Sequence, residues 1–329
     1  MKIGNKDLKK NIFIVAEIGN NHEGDLQTAL ELVDAASQTG VDAVKFQTFN
    51  LEKYYAITEK ERIEKLEKFN LNNDDFCKIK DYAEKRNLIF FSTPLDIDSA
   101  KFLKEIQNVF KISSGDNTFW KLIKEVNSYN LPTIISTGAS NLKQIDKIYD
   151  YWKSSEDLNK LCLLHCVSSY PVPKEEANLR MIKQLKNRYH GITVGYSDHT
   201  LGIEAALSSA SIGARLIEKH FTLDKNYSSF RDHLLSAEPK EMKSLVERVR
   251  EIELLYGHED CEIQPCEKNI IKQIRRSIAA SKDIKKGTVI TENMIMCVRP
   301  GQGIPEEEED KIIGKTLNKD MITGELFTI

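Results

Sequence analysis

The chain has 329 residues and a formal net charge of −3, with 40% hydrophobic and 29% charged residues. That balance is ordinary for a globular protein and leaves no global electrostatic case for binding nucleic acid or an anionic membrane. No apolar run approaches the ~20 residues a membrane helix needs. Glu17 breaks the apolar stretch near the N-terminus, and no small-residue cleavage pattern follows, so a cytoplasmic location is expected.

In chain order, eight short apolar runs lie between residues 12 and 221. They are "IFIVAEIG" (12–19), "DAVKFQTF" (42–49), "LIFFST" (88–93), "VFKISS" (109–114), "PTIISTG" (132–138), "KLCLLHC" (160–166), "ITVGYSD" (192–198) and "RLIEKHF" (215–221). Between them lie stretches with helical spacing, such as "LQTALELVDAASQTG" and "LGIEAALSSASIG", each ending in the glycine that helix C-termini favour. Nearly continuous apolar strands separated by helices predict a parallel sheet buried on both faces. Eight such units predict a closed (β/α)8 TIM barrel. An open doubly wound sheet is the alternative, but "EIGNNHEG" after the first strand is not the glycine-rich phosphate turn that fold favours.

The connection at 50–73 is long and falls where an active-site lid is expected. Residues 239–256 have the pattern of an amphipathic helix. After that the texture changes to short strands with turn signals such as "KKG" and "RPGQG". The expected organisation is a barrel over 1–258, a linker over 259–274 and a small β-rich domain over 275–329. The acidic run 306–310 is expected to be solvated, and the six cysteines have neither metal nor disulfide spacing.

The predicted strand ends are polar. They carry Glu17; Lys45 and Gln47; Ser92 and Thr93; Lys111, Ser113 and Ser114; Ser136 and Thr137; His165; Ser197, Asp198 and His199; Glu218 and His220. Charge at the end of an apolar strand is costly unless paired or used. In a barrel all these ends face the mouth where active sites are built. Lys45 and Lys111, with nearby hydroxyls, suit a phosphate and a carboxylate. His199 and His220, on neighbouring strands, suit a divalent metal, although no fixed-spacing motif holds them.

The ordered series "AEIGNNHEGD", "AVKFQT", "FFSTP", "FKISSGD", "ISTG", "LLHCVSSYP", "GYSDHT" and "EKHFT" resembles the motifs of the sialic acid synthase family. "SIAASKDIKKGTVITENM" with "VRPGQGI" resembles the antifreeze-like (SAF) domain that follows the barrel there. The resemblance implies a metal-dependent condensation of phosphoenolpyruvate with an N-acylated amino-sugar aldehyde, giving a nine-carbon 2-keto sugar acid and phosphate. It implies that Lys45, Thr93, Lys111, Ser114 and Ser197 hold phosphoenolpyruvate and that Gln47 orders that pocket. His199 and His220 are implied as ligands of manganese, with magnesium or cobalt as alternatives. Glu17 and Tyr170 are implied to face the sugar and act in catalysis, with Asp116 also near the sugar. Asp198 is expected to orient the histidine or a water. Arg299 matches an arginine that reaches into a partner's barrel, which implies a domain-swapped homodimer.

Departures bear on the acceptor. Ser168 replaces an asparagine, Asp116 replaces a glutamate of some members, and "NYSSFRDH" (226–233) replaces a Gly-Pro-Asp-His segment while keeping Asp232 and His233. N-acetylmannosamine and 2,4-diacylamino sugars both remain open as acceptors. Two other classes stay open on the residues alone: a Schiff-base aldolase on the same barrel and a carbohydrate-binding module.

Overall fold

The computed structural model describes residues 1–328 apart from 156 and 258–260. The chain forms two compact units, Met1–Gly257 and His258–Ile329. The expected junction at 258–259 lies outside the described residues. The segment expected as a linker carries helical turns at Pro265–Glu267 and Ile271–Ile274.

The first unit opens with a hairpin of β1 (Lys2–Ile3) and β2 (Lys6–Asp7). Eight parallel strands follow: β3 (Phe13–Gly19), β4 (Ala43–Thr48), β5 (Ile89–Pro94), β6 (Phe110–Ile112), β7 (Thr133–Ser136), β8 (Leu161–Cys166), β9 (Thr193–Asp198) and β10 (Leu216–His220). Their hydrogen-bonded order is β5-β4-β3-β10-β9-β8-β7-β6, so first and last strands pair and the barrel nearly closes. At the remaining seam β5 lies beside β6 without a ladder. There the Gln107 side chain stands in for a strand, accepting from Ser92 N at 2.7 Å and donating to Ser92 O at 3.2 Å.

Strand side chains alternate between two layers, as the pleat requires. One set (Val15, Ala43, Phe91, Val109, Ile134, Cys162, Leu164, Leu216) fills the barrel interior, where the hairpin's Met1, Ile3 and Leu8 join it. The other set packs against the surrounding helices. Helix Leu26–Ser37 shows why they dock: Asp25 caps it, and Ala29, Leu32, Val33 and Ala36 form one buried stripe. Asp42 ties the base together, taking Lys6 (2.8 Å), Ile14 N (2.9 Å) and Arg250 (2.8 Å). Gly195 on β9 admits no larger residue, since a Cβ there would meet Leu216 O at 2.4 Å.

The 50–73 connection is not a bare loop but contains two short helices, Leu51–Tyr54 and Lys60–Glu67. The second unit is less regular than its turn signals predict. Among the described residues it has one antiparallel pair, β11 (Ser277–Ala280) with β12 (Ile295–Val298), and isolated bridges around a core including Ile278, Ile290, Leu317 and Phe327.

Candidate active site

The alternation that puts Val15, Ala43, Val109 and Leu216 inside the barrel puts Glu17, Lys45, Lys111 and Glu218 inside as well, two residues further along. All four are buried. Lys45 Nζ lies 2.8 Å from Glu17 Oε2, 3.6 Å from Glu218 Oε2 and 3.0 Å from Thr93 Oγ1. Lys111 Nζ lies 3.4 Å from Glu218 Oε1, which also accepts from Ser197 Oγ at 2.9 Å. Two cations and two carboxylates therefore share one enclosed cluster.

Their protonation differs. Burial pushes the Glu17 carboxyl up, Lys45 opposes this and Glu218 adds to it, leaving it at about 7. Burial also acts to raise Glu218, but Lys111 and Lys45 outweigh it and hold it below the usual carboxylate range. Burial pulls Lys45 down while Glu17 and Glu218 raise it above its ordinary value. Burial leaves Lys111 below its ordinary value despite Glu218. Two neighbouring carboxyls pushed apart in this way are a pattern of acid–base sites.

His199 and His220 come together, their ring centroids 5.4 Å apart. His199 Nδ1 sits 2.8 Å from the Val167 carbonyl, which only accepts, so Nδ1 carries the proton and Nε2 is the free lone pair. Tyr170 Oη lies 3.1 Å from that Nε2. His220 Nδ1 is buried without a hydrogen-bond partner and stands 3.9 Å from Asp232 Oδ2. Burial lowers both imidazoles, keeping them in the neutral, metal-binding form. An orphaned ring nitrogen, two neutral imidazoles and a nearby carboxylate fit a divalent cation. Among the described residues, no group of three or more His, Cys, Asp or Glu forms a complete cage, so substrate or water oxygens would have to finish the shell.

The other expected residues of the first unit sit in β4 or just after β6. Gln47 donates to Glu17 Oε1 at 3.3 Å and accepts from Asn20 at 2.9 Å. Ser114 Oγ accepts from Ser168 Oγ at 2.8 Å. Asp116 accepts from Ser113 Oγ at 2.6 Å, and burial pushes its carboxyl up. Arg299 lies in the second unit, exposed, its Nε donating to Ile274 O at 2.8 Å.

Two strand-end residues face the other way. Asp198 is fully enclosed and takes Lys219 Nζ (3.0 Å), Thr200 N (2.9 Å), Thr200 Oγ1 (2.8 Å) and Tyr196 Oη (3.2 Å). It alternates with the inward Ser197 and His199, so its carboxylate faces the outer layer and braces the strand end through Lys219 and Thr200. His165 likewise points outward, bonded to Ala177 O at 2.8 Å and stacked on Tyr196. Reasoning from the sequence left Glu218 without a role, although it sits two residues before the inward His220. Ser136, whose buried hydroxyl has no partner, shares the inward face with Ile134.

Residues 32–260 match the NeuB family, and residues 275–329 match the SAF domain. The chain is 35% identical to N,N'-diacetyllegionaminic acid synthase of Campylobacter jejuni, over 97% of this chain and 99% of that protein. It is 32% identical to pseudaminic acid synthase of the same species, over 99% and 98%. The crystal structure of the N-acetylneuraminic acid synthetase of Leptospira borgpetersenii in complex with citrate superposes with a TM-score of 0.78 at 35% identity, covering 82% of this chain and 94% of that one. The chain belongs to the NeuB family and carries a C-terminal SAF domain.

Proposed function

We propose that this enzyme makes a nonulosonate by condensing phosphoenolpyruvate with an N-acylated amino-sugar aldehyde, releasing phosphate. The observation that carries this reading is the buried Lys45–Glu17–Glu218–Lys111 cluster beside the facing His199 and His220. Synthases of legionaminic and pseudaminic acid among the relatives support the product class.

In this reading Lys45 and Lys111 receive the carboxylate and phosphate of phosphoenolpyruvate, with Thr93, Ser114, Ser136 and Ser197 donating hydroxyls and Gln47 ordering the floor. An arriving anion gives both ammoniums a counter-charge and relieves Glu17 of that task. The enol C3 of phosphoenolpyruvate then bonds to the aldehyde carbon, and C2 becomes electron-poor. Water adds at C2, and the resulting tetrahedral carbon expels phosphate to leave the 2-keto acid. Glu17, poised near neutrality, can hold the proton exchanged in these steps or offset the charge at C2. His199 and His220 would hold the divalent cation, manganese by family resemblance, which when bound polarises the aldehyde oxygen. Tyr170 and Asp116 face the sugar.

A homodimer in which Arg299 of one copy serves the other's barrel, and a cytoplasmic location, complete the proposal. Among the described residues no helix is long and apolar enough to cross a membrane.

Metal-dependent phosphate release from phosphoenolpyruvate across a panel of amino sugars tests the reaction. The lowered Lys111 favours one rival, a Schiff-base aldolase. Borohydride trapping with a keto acid labels that enzyme and leaves a synthase unlabelled.

A further inference from the structure

The candidate active site gathers toward the C-terminal ends of the barrel strands. A separate cavity of about 440 Å³ opens at the other end, the base of the barrel. Thr193 and Val194, which begin β9, line it together with Arg215, which precedes β10. Lys186 reaches it from the helix Arg180–Arg188, and Gly213 from the cap of the helix Glu204–Ile212. Leu8 and Lys9, just past the β1–β2 hairpin, form another wall. β9 is six residues long, so about 16 Å of strand separates this cavity from Asp198.

Its charge is one-sided. Among the described residues the lining carries Lys9, Lys186, Arg215 and His190, and no aspartate or glutamate. Carboxylates close by in the chain are committed elsewhere. Asp146 takes Arg188 and Tyr189, Asp157 takes Lys160, and Asp7 accepts from Lys9 N at 3.0 Å. Arg215 Nε donates to Leu8 O at 2.8 Å, and its second terminal nitrogen donates to Lys9 O. Two neutral carbonyls hold this guanidinium in place without offsetting its charge. Among the described residues, Lys9, Lys186 and Arg215 have no carboxylate partner, whereas Lys160 and Arg188 beside them do. Lys186 Nζ stands over Gly213, where a Cβ would meet it at 2.5 Å, so the glycine leaves room for the ammonium on this wall. Like charges gathered around a concave wall focus a positive field into it.

Three cations suit a phosphate monoester, with its charge of roughly −1.5 to −2 at pH 7, better than a single carboxylate. The cavity is also larger than a bare phosphate needs and falls in the range of roughly 300–1,000 Å³ typical of sites for small organic ligands. Leu8 and Ile192 give its wall an apolar strip. The geometry points to a binding site for a small organic phosphate at the base of the barrel. The phosphate lies among Lys9, Lys186 and Arg215, and a carbon ring lies along Leu8 and Ile192. Both lysines supply point charges, and the donors of Arg215 not committed to Leu8 and Lys9 supply direction. None of these residues belongs to the Lys45–Lys111 cluster, so the site stands apart from the synthase reading.

Calorimetric titration of the full chain with adenosine 5'-monophosphate, a probe that joins a phosphate to a flat ring, tests the site. The parent, K9E/K186E and K121E/K124E are compared in chelator, with and without saturating phosphoenolpyruvate. Lys121 and Lys124 are exposed on the helix Trp120–Ser128, so the second variant changes net charge equally without touching the cavity. The parent should bind one nucleotide per chain, phosphoenolpyruvate present or not. K9E/K186E should weaken that binding by about 10- to 100-fold, as expected for losing hydrogen bonds to a charged group. K121E/K124E should stay within about threefold of the parent, because charges beyond a Debye length are largely screened. Inorganic pyrophosphate should bind more weakly than the nucleotide, having no ring for the apolar strip. No binding by the parent at millimolar nucleotide would overturn the inference. So would an equal loss in both variants, which would reduce it to net charge, or displacement by phosphoenolpyruvate with binding retained in K9E/K186E, which would move the nucleotide to the barrel mouth. Pyrophosphate binding as tightly as the nucleotide would overturn the organic part of the assignment. Each of these results leaves the synthase reading as it stands.

Discussion

The hydroxyl of Tyr170 lies 3.1 Å from Nε2 of His199, and the two rings lie 4.3 Å apart, centroid to centroid. Because His199 Nδ1 is committed to the Val167 carbonyl, this Nε2 is the one lone pair the ring can offer a cation. Manganese at 100 times its Kd should stabilise the parent by about 3 kcal/mol, read as a rise in Tm. H199Q and H220Q should each lose that rise while unfolding near the parent's metal-free Tm. Y170F, which removes the competing hydroxyl, should keep it. A full manganese shift in the H199Q/H220Q double variant would place the cation elsewhere.

Glu17 gives the pH dependence. Its carboxyl is raised from an ordinary value of 4.5 to about 7, first by burial and with Glu218 adding, against the pull of Lys45. The folded state therefore holds this proton more tightly than the unfolded state does. Its contribution to stability is complete below 4.5 and is lost as pH rises through 7. In metal-free protein, the stability difference between parent and E17Q should move toward the variant from pH 5 to pH 8, by at most about 3 kcal/mol. Urea unfolding at several pH values reads it. A difference independent of pH would mean that Glu17 is ionised throughout.

Asp198 should behave as a structural residue. Lys219 is fully buried against it, so D198N leaves an ammonium without its counter-charge and should cost about 3–5 kcal/mol. In the folded fraction, manganese and phosphoenolpyruvate affinities should stay near the parent's. Lost turnover at unchanged Tm would restore the catalytic role the sequence suggested.

Gln107 should show that the barrel seam is closed by a side chain. Q107A leaves the Ser92 N–H and C=O without their partners and should cost about 1–3 kcal/mol in urea unfolding. Hydrogen exchange at Ser92 should quicken more than at Val44 or Phe91 inside the ladder; an unchanged rate would contradict this account of the seam.

The barrel was legible because its strands are buried on both faces and their apolar runs are continuous, so seven of the eight runs contain the strand observed and the run 88–93 falls one residue short of Pro94 at the end of β5. The hairpin Lys2–Asp7 was not, because two-residue strands carrying Lys2 and Lys6 have no periodicity to find. At the site, Lys45, Lys111, His199 and His220 were legible as charge at the ends of apolar strands. The layer that Asp198 and His165 face was not legible, because a polar strand end says nothing of it; counting by twos from an apolar inward residue separates them from Ser197 and Cys166. The contacts of Phe230 with Phe69 and of His233 with Glu23 join segments far apart in the chain, and no local pattern encodes them.

The most direct measurement is phosphate release from phosphoenolpyruvate by the parent protein, with manganese and a panel of N-acylated amino sugars, beside a chelated control. The account predicts release that requires both sugar and metal, with a nine-carbon 2-keto acid formed one-for-one with phosphate. Release that is indifferent to the chelator, or folded protein that binds phosphoenolpyruvate yet releases nothing with any amino sugar in the panel, would contradict it.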